Sequence, residues 1–173
     1  MFELLNRRTY PVGVEVSEDT LKVVQLSQNG NGFKLLAGTS RKRPEEMKAG
    51  SVKWQRWVID VLRKAMSSGS FRGRSISASM PAGDIFIDHM KKPRSNEENI
   101  EQAIRSKIRH KLTFEDANAM IKYTESEDDN IVVIAADRER IDRQLAIYEQ
   151  ANLQIKSMVG WPMALVNTYI NFF

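Results

Sequence analysis

Residues 12–27, with the sequence VGVEVSEDTLKVVQLS, decide the fold of this chain. Apolar residues alternate from Val12 to Val16 and return in a β-branched run from Leu21 to Leu26, which is typical of two strands. The polar residues between the runs include serine and aspartate, whose side chains bond to nearby backbone amides in turns. Asn29-Gly30 marks a second tight turn before a third run over residues 32–39. The chain is therefore predicted to open as a three-stranded meander.

The composition predicts a soluble globular protein of one domain or two small ones. The 173 residues are 42% hydrophobic, which is enough to bury a core, and there is no cysteine for a disulfide or a thiolate metal site. His89 and His110 stand apart from each other, so the sequence predicts no histidine metal site. No apolar run approaches the ~20 residues of a membrane-spanning helix, and no signal peptide is evident, so a cytosolic location is expected.

The charge has a mild basic bias, with 26 basic and 22 acidic residues and a net charge of +4. Basic clusters at residues 41–43 and 91–94 would suit a nucleic acid or an anionic membrane. No aromatic residue is interleaved with these clusters to stack on bases. Binding of nucleic acid or anionic membrane therefore stays an alternative, and a nucleic acid partner is not expected.

Helices and strands follow one another along the rest of the chain. Helices are predicted over residues 52–66, 137–151 and 161–173, and strands over residues 75–80 and 153–159. Trp54 and Trp57 belong to an apolar stripe of the first helix and are predicted to pack in the core. Asp137 is the predicted N-cap of the second helix, and Asn152 is its predicted C-cap.

Residues 84–136 have an order of their own, strand, helix, strand, strand. The strands are predicted over residues 85–90, 119–124 and 131–136. The helix is predicted from Ser95 or Asn96 to Leu112, with glutamates in its first turns and arginine and lysine towards its end. The helix dipole favours this distribution of charge.

The segment Glu15-Val16-Ser17-Glu18-Asp19-Thr20-Leu21-Lys22 stands where actin-like proteins carry their first phosphate loop. With the order of elements and the junction Met80-Pro81-Ala82-Gly83, it resembles the PilM family of type IV pilus assembly proteins and, more distantly, the division protein FtsA. The resemblance implies an α/β fold with an actin-like (ribonuclease H-like) mixed sheet. It implies a subdomain 1A over residues 1–82 and 137–173, and an inserted strand-helix-strand-strand subdomain 1C over residues 83–136.

The resemblance places a nucleotide-binding position at Glu15, Ser17, Thr20 and Lys22. The residue types there predict a degenerate site. Ser17 stands where a glycine would let the backbone approach phosphate closely, and Glu15 replaces the aspartate that organises magnesium. The two acids that follow Ser17 would repel a phosphate.

The family's later magnesium-binding acids fall on Val159 and Trp161, neither of which can bind a metal. The sequence therefore predicts no enzyme activity and no cofactor for this chain. ATP with magnesium is expected only in a longer native protein that includes the second half of the fold.

The resemblance also implies a partner, the short cytosolic peptide of a PilN-like inner-membrane protein, held in a groove between subdomains 1A and 1C. The predicted partner-binding residues are Ile85, Ile87, Arg105, Arg109 and Lys111. The expected function is a non-catalytic scaffold of a pilus or type II secretion assembly platform, located in the cytoplasm at the inner-membrane face. The alternative within this fold is a GspL-like cytosolic domain that docks a secretion ATPase.

The last helix has too many apolar residues for its outer face to be fully exposed to solvent. Its apolar residues are Met163, Leu165, Val166, Tyr169, Ile170, Phe172 and Phe173. The resemblance implies that the second half of the fold covers this helix. In the chain as given, we expect an exposed apolar patch and self-association through it.

Overall fold

The computed structural model describes residues 9–30, 32–94 and 97–172, which form two compact units. The first unit comprises Met1–Pro81 and Leu145–Phe173, and the second comprises Ala82–Gln144. The strands are β1 Val12–Val16, β2 Thr20–Asn29, β3 Gly32–Lys42, β4 Ser75–Met80, β5 Ile85–Lys91, β6 Ala119–Glu125, β7 Asn130–Asp137 and β8 Gln154–Gly160. The helices are α1 Val52–Ser67, α2 Glu97–Ile108, α3 Arg138–Gln150 and α4 Trp161–Phe172, with short 3-10 turns at Ala82–Asp84 and Asp116–Asn118.

The first unit contains one mixed sheet, with the strand order β3-β2-β1-β4-β8 in the described residues. The pairs β1–β2 and β2–β3 are antiparallel, as the predicted meander requires. The pairs β1–β4 and β4–β8 are parallel. The prediction that these strands share one mixed sheet is confirmed.

The core of the first unit lies on one face of this sheet. Val12, Val14 and Val16 alternate into it, and α1 and α3 both contribute side chains to it. Ser51 begins α1 as its N-cap by accepting a hydrogen bond from the Trp54 amide at 3.2 Å. Trp54 is buried and Trp57 is partly buried against the same cluster, so the predicted core packing of both is confirmed.

Asn152 ends α3 as predicted, in the left-handed conformation with φ of 59°. The Leu153 amide donates to the Tyr148 carbonyl at 2.9 Å, and the Asn152 amide donates to the Glu149 carbonyl at 2.8 Å. These two bonds form a Schellman motif, which satisfies the last carbonyls of the helix. Leu153 is buried, so the motif also leads the chain directly from α3 into β8.

The second unit contains an antiparallel sheet with the strand order β5-β7-β6, one face of which packs against α2. Ile100, Ile104 and Ile108 of α2 are buried there. The predicted strand-helix-strand-strand order is confirmed. The predicted N-caps of α2 lie outside the described residues.

The predicted end of α2 at Leu112 is wrong, because the helix stops at Ile108. The Lys111 amide donates to the Ile108 carbonyl, three residues back, at 2.8 Å, which tightens the chain into a turn. Leu112 then packs against the core of the second unit. Arg109 and Lys111 are therefore turn residues rather than helix residues.

Tyr148 lies in the core of the first unit with 0% exposure, and its hydroxyl has no hydrogen-bond partner among the described residues. Burying an unsatisfied hydroxyl costs free energy. Burial also raises the pKa of the Tyr148 hydroxyl above its ordinary value.

Tyr148→Phe should therefore raise the free energy of unfolding by about 1 kcal/mol, measured by urea denaturation at pH 7. An unfolded tyrosine ionises near its ordinary pKa of about 10, whereas native Tyr148 keeps its proton there because burial raises its pKa. The native state thus binds more protons there, so wild-type stability falls as the pH rises past that value. The Phe variant lacks this loss, so its advantage in free energy of unfolding over the wild type should grow as the pH rises. Tyr123→Phe, at an exposed tyrosine, is the control and should change little; equal effects at both sites would refute the buried-hydroxyl explanation.

Candidate functional site

The turn between β1 and β2, where a phosphate loop was predicted, is closed by its own hydrogen bonds. The Ser17 amide donates to the Thr20 carbonyl at 2.9 Å. The Thr20 amide donates to the Ser17 hydroxyl oxygen at 3.1 Å, and the two hydroxyls lie 3.0 Å apart. A phosphate loop needs backbone amides that point at the ligand. Here the amides of Ser17 and Thr20 are both engaged within the turn.

Glu15 and Lys22 form a cross-strand ion pair on the sheet face opposite the core. They are direct partners in the β1–β2 register, and Lys22 Nζ lies 3.0 Å from Glu15 Oε1. Both side chains are about half exposed, so the pair adds little to stability. Each charged group is nevertheless engaged by the other. A phosphate would have to compete with Glu15 for Lys22, and a magnesium ion would have to compete with Lys22 for Glu15.

Arg43 holds the same turn from outside. Its guanidinium donates to the Asp19 carboxylate at 3.1 Å, to the backbone carbonyl of Glu18, and to the carbonyls of Pro44 and Met47. Its side chain is only 19% exposed. Arg43 is therefore bound to the turn and is not free to serve the basic cluster at residues 41–43 as a contact for nucleic acid or anionic membrane. Asp19 and Glu18 lie 24 and 25 positions earlier in the chain, so no local pattern could have revealed those two contacts.

The later positions of the predicted nucleotide site carry no acids. Val159 pairs with Ser79 in the β4–β8 ladder, and Trp161 begins α4 with 41% of its side chain exposed. Among the described residues, no group of three or more His, Asp and Glu residues is arranged to hold a metal ion.

The predicted partner-binding residues of the second unit do not lie on one face. Phe86 of β5 packs into the core beneath α2, so Ile85 and Ile87 alternate to the opposite face of the sheet. Ile87 is 43% exposed there and is paired with Ile134 of β7. Because α2 covers the other face of the sheet, the sheet separates the basic residues of α2 from Ile85 and Ile87.

Arg105 is engaged within the second unit. Its guanidinium donates to the Ala119 carbonyl at 2.9 Å and to the Asp116 carboxylate at 3.2 Å, and it also contacts Glu101. These bonds fix the entry to β6. Lys111 forms an ion pair with Asp88 at 2.7 Å. Arg109 is exposed and forms no ion pair within the described residues, so it is the one predicted cation whose charge is uncompensated.

The helix α4 exposes most of its apolar residues. Its main contacts with the sheet are to β8 and β4. Tyr169 and Ile170 are 69% and 71% exposed, and Leu165 is 57% exposed. Although apolar, α4 is short, and no helix of the described residues has the length and apolar character needed to cross a membrane.

Comparison with protein families gives a match over residues 13–159 to the family described as type IV pilus assembly protein PilM. A search of curated proteins gave no match. The matched family segment includes the closed turn, the second unit and nearly all of β8.

Several solved structures share the fold, and they confirm the predicted actin-like fold class. The chain resembles a PilM–PilN type IV pilus biogenesis complex with a TM-score of 0.74 and 18% identity, over 92% of this chain and 49% of that chain. It resembles the cytoplasmic domain of EpsL, an inner-membrane component of the type II secretion system of Vibrio cholerae, with a TM-score of 0.60 and 10% identity, over 86% and 56%. A Bacteroides thetaiotaomicron protein with an actin-like ATPase fold gives 0.53 and 9%, over 98% and 58%. The chain thus spans about half the length of the solved chains that it matches.

Arg43→Ala should destabilise the first unit by about 1–3 kcal/mol, because partly buried carbonyl groups and the Asp19 carboxylate lose their donor. The measurement is urea denaturation followed by circular dichroism. Arg41→Ala, at the exposed neighbour, should cost less than about 0.5 kcal/mol. Equal effects of the two substitutions would show that Arg43 is an ordinary solvated residue.

Millimolar Mg-ATP should leave the melting temperature of this chain unchanged, because the amides of Ser17 and Thr20 and the side chains of Glu15 and Lys22 are all engaged. A ligand at about 100 times its dissociation constant would add ~2.7 kcal/mol, a shift of several degrees that differential scanning fluorimetry resolves. A shift of that size, lost in Lys22→Ala but kept in Lys107→Ala, would show that the turn opens to accept nucleotide.

Proposed function

The chain belongs to the family of the type IV pilus assembly protein PilM, and on that basis we propose that it is a non-catalytic scaffold of a pilus assembly platform. The observation that carries the proposal is the family match over residues 13–159. The scaffold would act in the cytoplasm, peripheral to the inner membrane.

The geometry of the β1–β2 turn supports a role without nucleotide hydrolysis. The amides of Ser17 and Thr20 bond within the turn, and Glu15 Oε1 lies 3.0 Å from Lys22 Nζ. Arg43 holds the turn closed through the Asp19 carboxylate and nearby carbonyls. Opening this turn for a phosphate would break several of these bonds together, which favours a structural use of the motif.

The proposed partner is the short cytosolic peptide of a PilN-like membrane protein. One solved structure of similar fold is a complex of PilM with PilN. In the second unit, β5 is an edge strand that pairs only with β7 in the described residues, and Ile85 and Ile87 lie on the face that α2 leaves uncovered. An extended peptide could pair with such an edge and bury an apolar side chain against Ile87.

None of the three predicted cations supplies a charged part to this proposed interaction, since Arg109, which is exposed, does not share a face with Ile87. Arg105 and Lys111 already have carboxylate partners in Asp116 and Asp88. Recruiting either cation would leave a carboxylate without its partner. We therefore assign Arg105 and Lys111 structural roles within the second unit.

A second candidate function keeps the same fold in a different machine. The likeness to the cytoplasmic domain of EpsL, with a TM-score of 0.60, favours a GspL-like role in which the chain docks a type II secretion ATPase. The two candidates differ in partner, so binding of a PilN-like peptide against binding of a secretion ATPase separates them.

The exposed face of α4 supports a further contact, which we assign to a second copy of this chain. Leu165 and Tyr169 are four positions apart, as are Val166 and Ile170, so the two pairs form one continuous stripe. Each is between 48% and 71% exposed. Large contiguous apolar surfaces are rare on monomers in water. Pairing two copies across this stripe would bury the stripe of each copy.

Peptide binding is tested with a fluorescein-labelled synthetic peptide that carries the cytosolic N-terminal sequence of the PilN-like protein from the same organism. Fluorescence anisotropy should give saturable binding to the chain. Ile87→Asp should weaken it at least about tenfold, because a carboxylate would be buried against an apolar side chain. Val52→Asp, at a 64% exposed valine of the first unit, is the matched control and should bind as the wild type does. Equal affinity of the wild type and Ile87→Asp would contradict the assignment of this site.

Self-association is tested by sedimentation equilibrium at about 10–200 µM, a range chosen to bracket a micromolar dimer. The wild type should dimerise, and Leu165→Ser with Ile170→Ser should give a folded monomer with an unchanged circular dichroism spectrum. Leu35→Ser with Val52→Ser removes two apolar side chains of similar exposure, 61% and 64%, and should still dimerise. A wild type that stays monomeric throughout would refute pairing through α4.

A further inference from the structure

The strand β3 is a long exposed edge of the first-unit sheet. It runs over Gly32–Lys42, 11 residues, and pairs only with β2 in the described residues. An edge strand presents a row of backbone donors and acceptors to any extended segment that reaches it. Proteins often protect such an edge with charges, proline or a covering element. The segment from Leu36 to Ser40 contains neither charge nor proline.

A groove follows this edge. It has a volume of about 290 Å³ and is bordered by β3 on one side and the C-terminal half of α1 on the other. Its apolar lining comes from Val61, Ala65 and Phe71, and Phe71 is itself buried at 8% exposure. A strand paired with β3 would therefore place every second side chain against a preformed apolar surface. An exposed edge strand beside a helix is the arrangement by which strand addition binds peptides.

Two cations line the same groove, Arg41 from β3 and Lys64 from α1. Both are exposed, and neither forms an ion pair within the described residues. Arg41 Nη1 donates only to the carbonyl of its neighbour Ser40, at 2.9 Å. Lys64 also lies in the last turn of α1, where a cation is favoured by the helix dipole. Two like charges beside one groove attract an anionic ligand group.

We propose that the groove between β3 and α1 binds an acidic peptide segment of a partner protein in an extended conformation. The segment would add as a sixth strand to the sheet, with apolar side chains towards Val61 and Phe71 and carboxylates towards Arg41 and Lys64. This surface lies entirely in the first unit. It is independent of the PilN-like peptide proposed for the second unit and does not rest on that assignment.

The test begins with random dodecapeptides displayed on phage and selected on the purified chain. The selected peptides should alternate β-branched residues with aspartate or glutamate. The most enriched one is synthesised with a fluorescein label, and its affinity is measured by anisotropy. Arg41→Glu with Lys64→Glu should weaken it at least about tenfold, because both cations become repulsive. Lys107→Glu with Arg109→Glu, an equal charge change at exposed residues of the second unit, should leave it unchanged.

Two further measurements separate strand addition from simple attraction of anions. Hydrogen exchange should show slower exchange of β3 amides when the peptide is bound, because strand pairing engages the free edge. An oligonucleotide of twelve deoxythymidines should not displace the peptide. Failure to enrich acidic peptides, equal binding by the groove variant, unchanged exchange in β3, or displacement by the oligonucleotide would each overturn the proposal. None of these results bears on the Ile87 site.

Discussion

The burial of every second residue of β1 is the constraint on which the first unit depends. Val12, Val14 and Val16 face the core between α1 and α3. Gly13 and Glu15 must then face the opposite side. Gly13 has no side chain to meet Val24, whose Cγ1 atom would lie 3.1 Å from an added Cβ. Glu15 is brought opposite Lys22 in the same register. The polar pair and the tight glycine contact both follow from the position of the three valines.

Elements with a strong local signal could be predicted from the sequence. Each of these signals depends on residues that are close in sequence. They are the alternation in β1 and β2, the capping residues of α3 and the apolar stripe of α1. The end of α2 could not be predicted, because a turn closed by Lys111 and the packing of Leu112 decide it. Ile59 shows the same limit, since it is buried in α1 although it does not follow Trp54 or Trp57 at a spacing of three or four. The end of α2 and the burial of Ile59 both depend on packing against other elements of the same unit.

The candidate site was less predictable than the fold, because its contacts join distant parts of the chain. Replacement of the phosphate-loop glycine by Ser17 could be seen in the sequence, but the closure of the turn by Arg43 could not. Arg105 shows the same difficulty in the second unit. Its charge and spacing suited a surface contact, whereas its bonds to Asp116 and Ala119 make it a support for β6. The sequence around a charged helix residue does not show whether that residue contacts a partner or supports the fold.

The interruption of the first unit by the second has a consequence for synthesis on the ribosome. The second unit is continuous in sequence, and all its strand pairings lie between Ile85 and Asp137, so it can form as soon as Gln144 has emerged. The first unit cannot close until β8 pairs with β4, nearly 80 positions earlier. Contacts between distant positions form slowly because loop closure must come first. During translation, β1–β4 therefore wait as an open sheet with unpaired edges, and this is the stage at which the nascent chain most needs a chaperone.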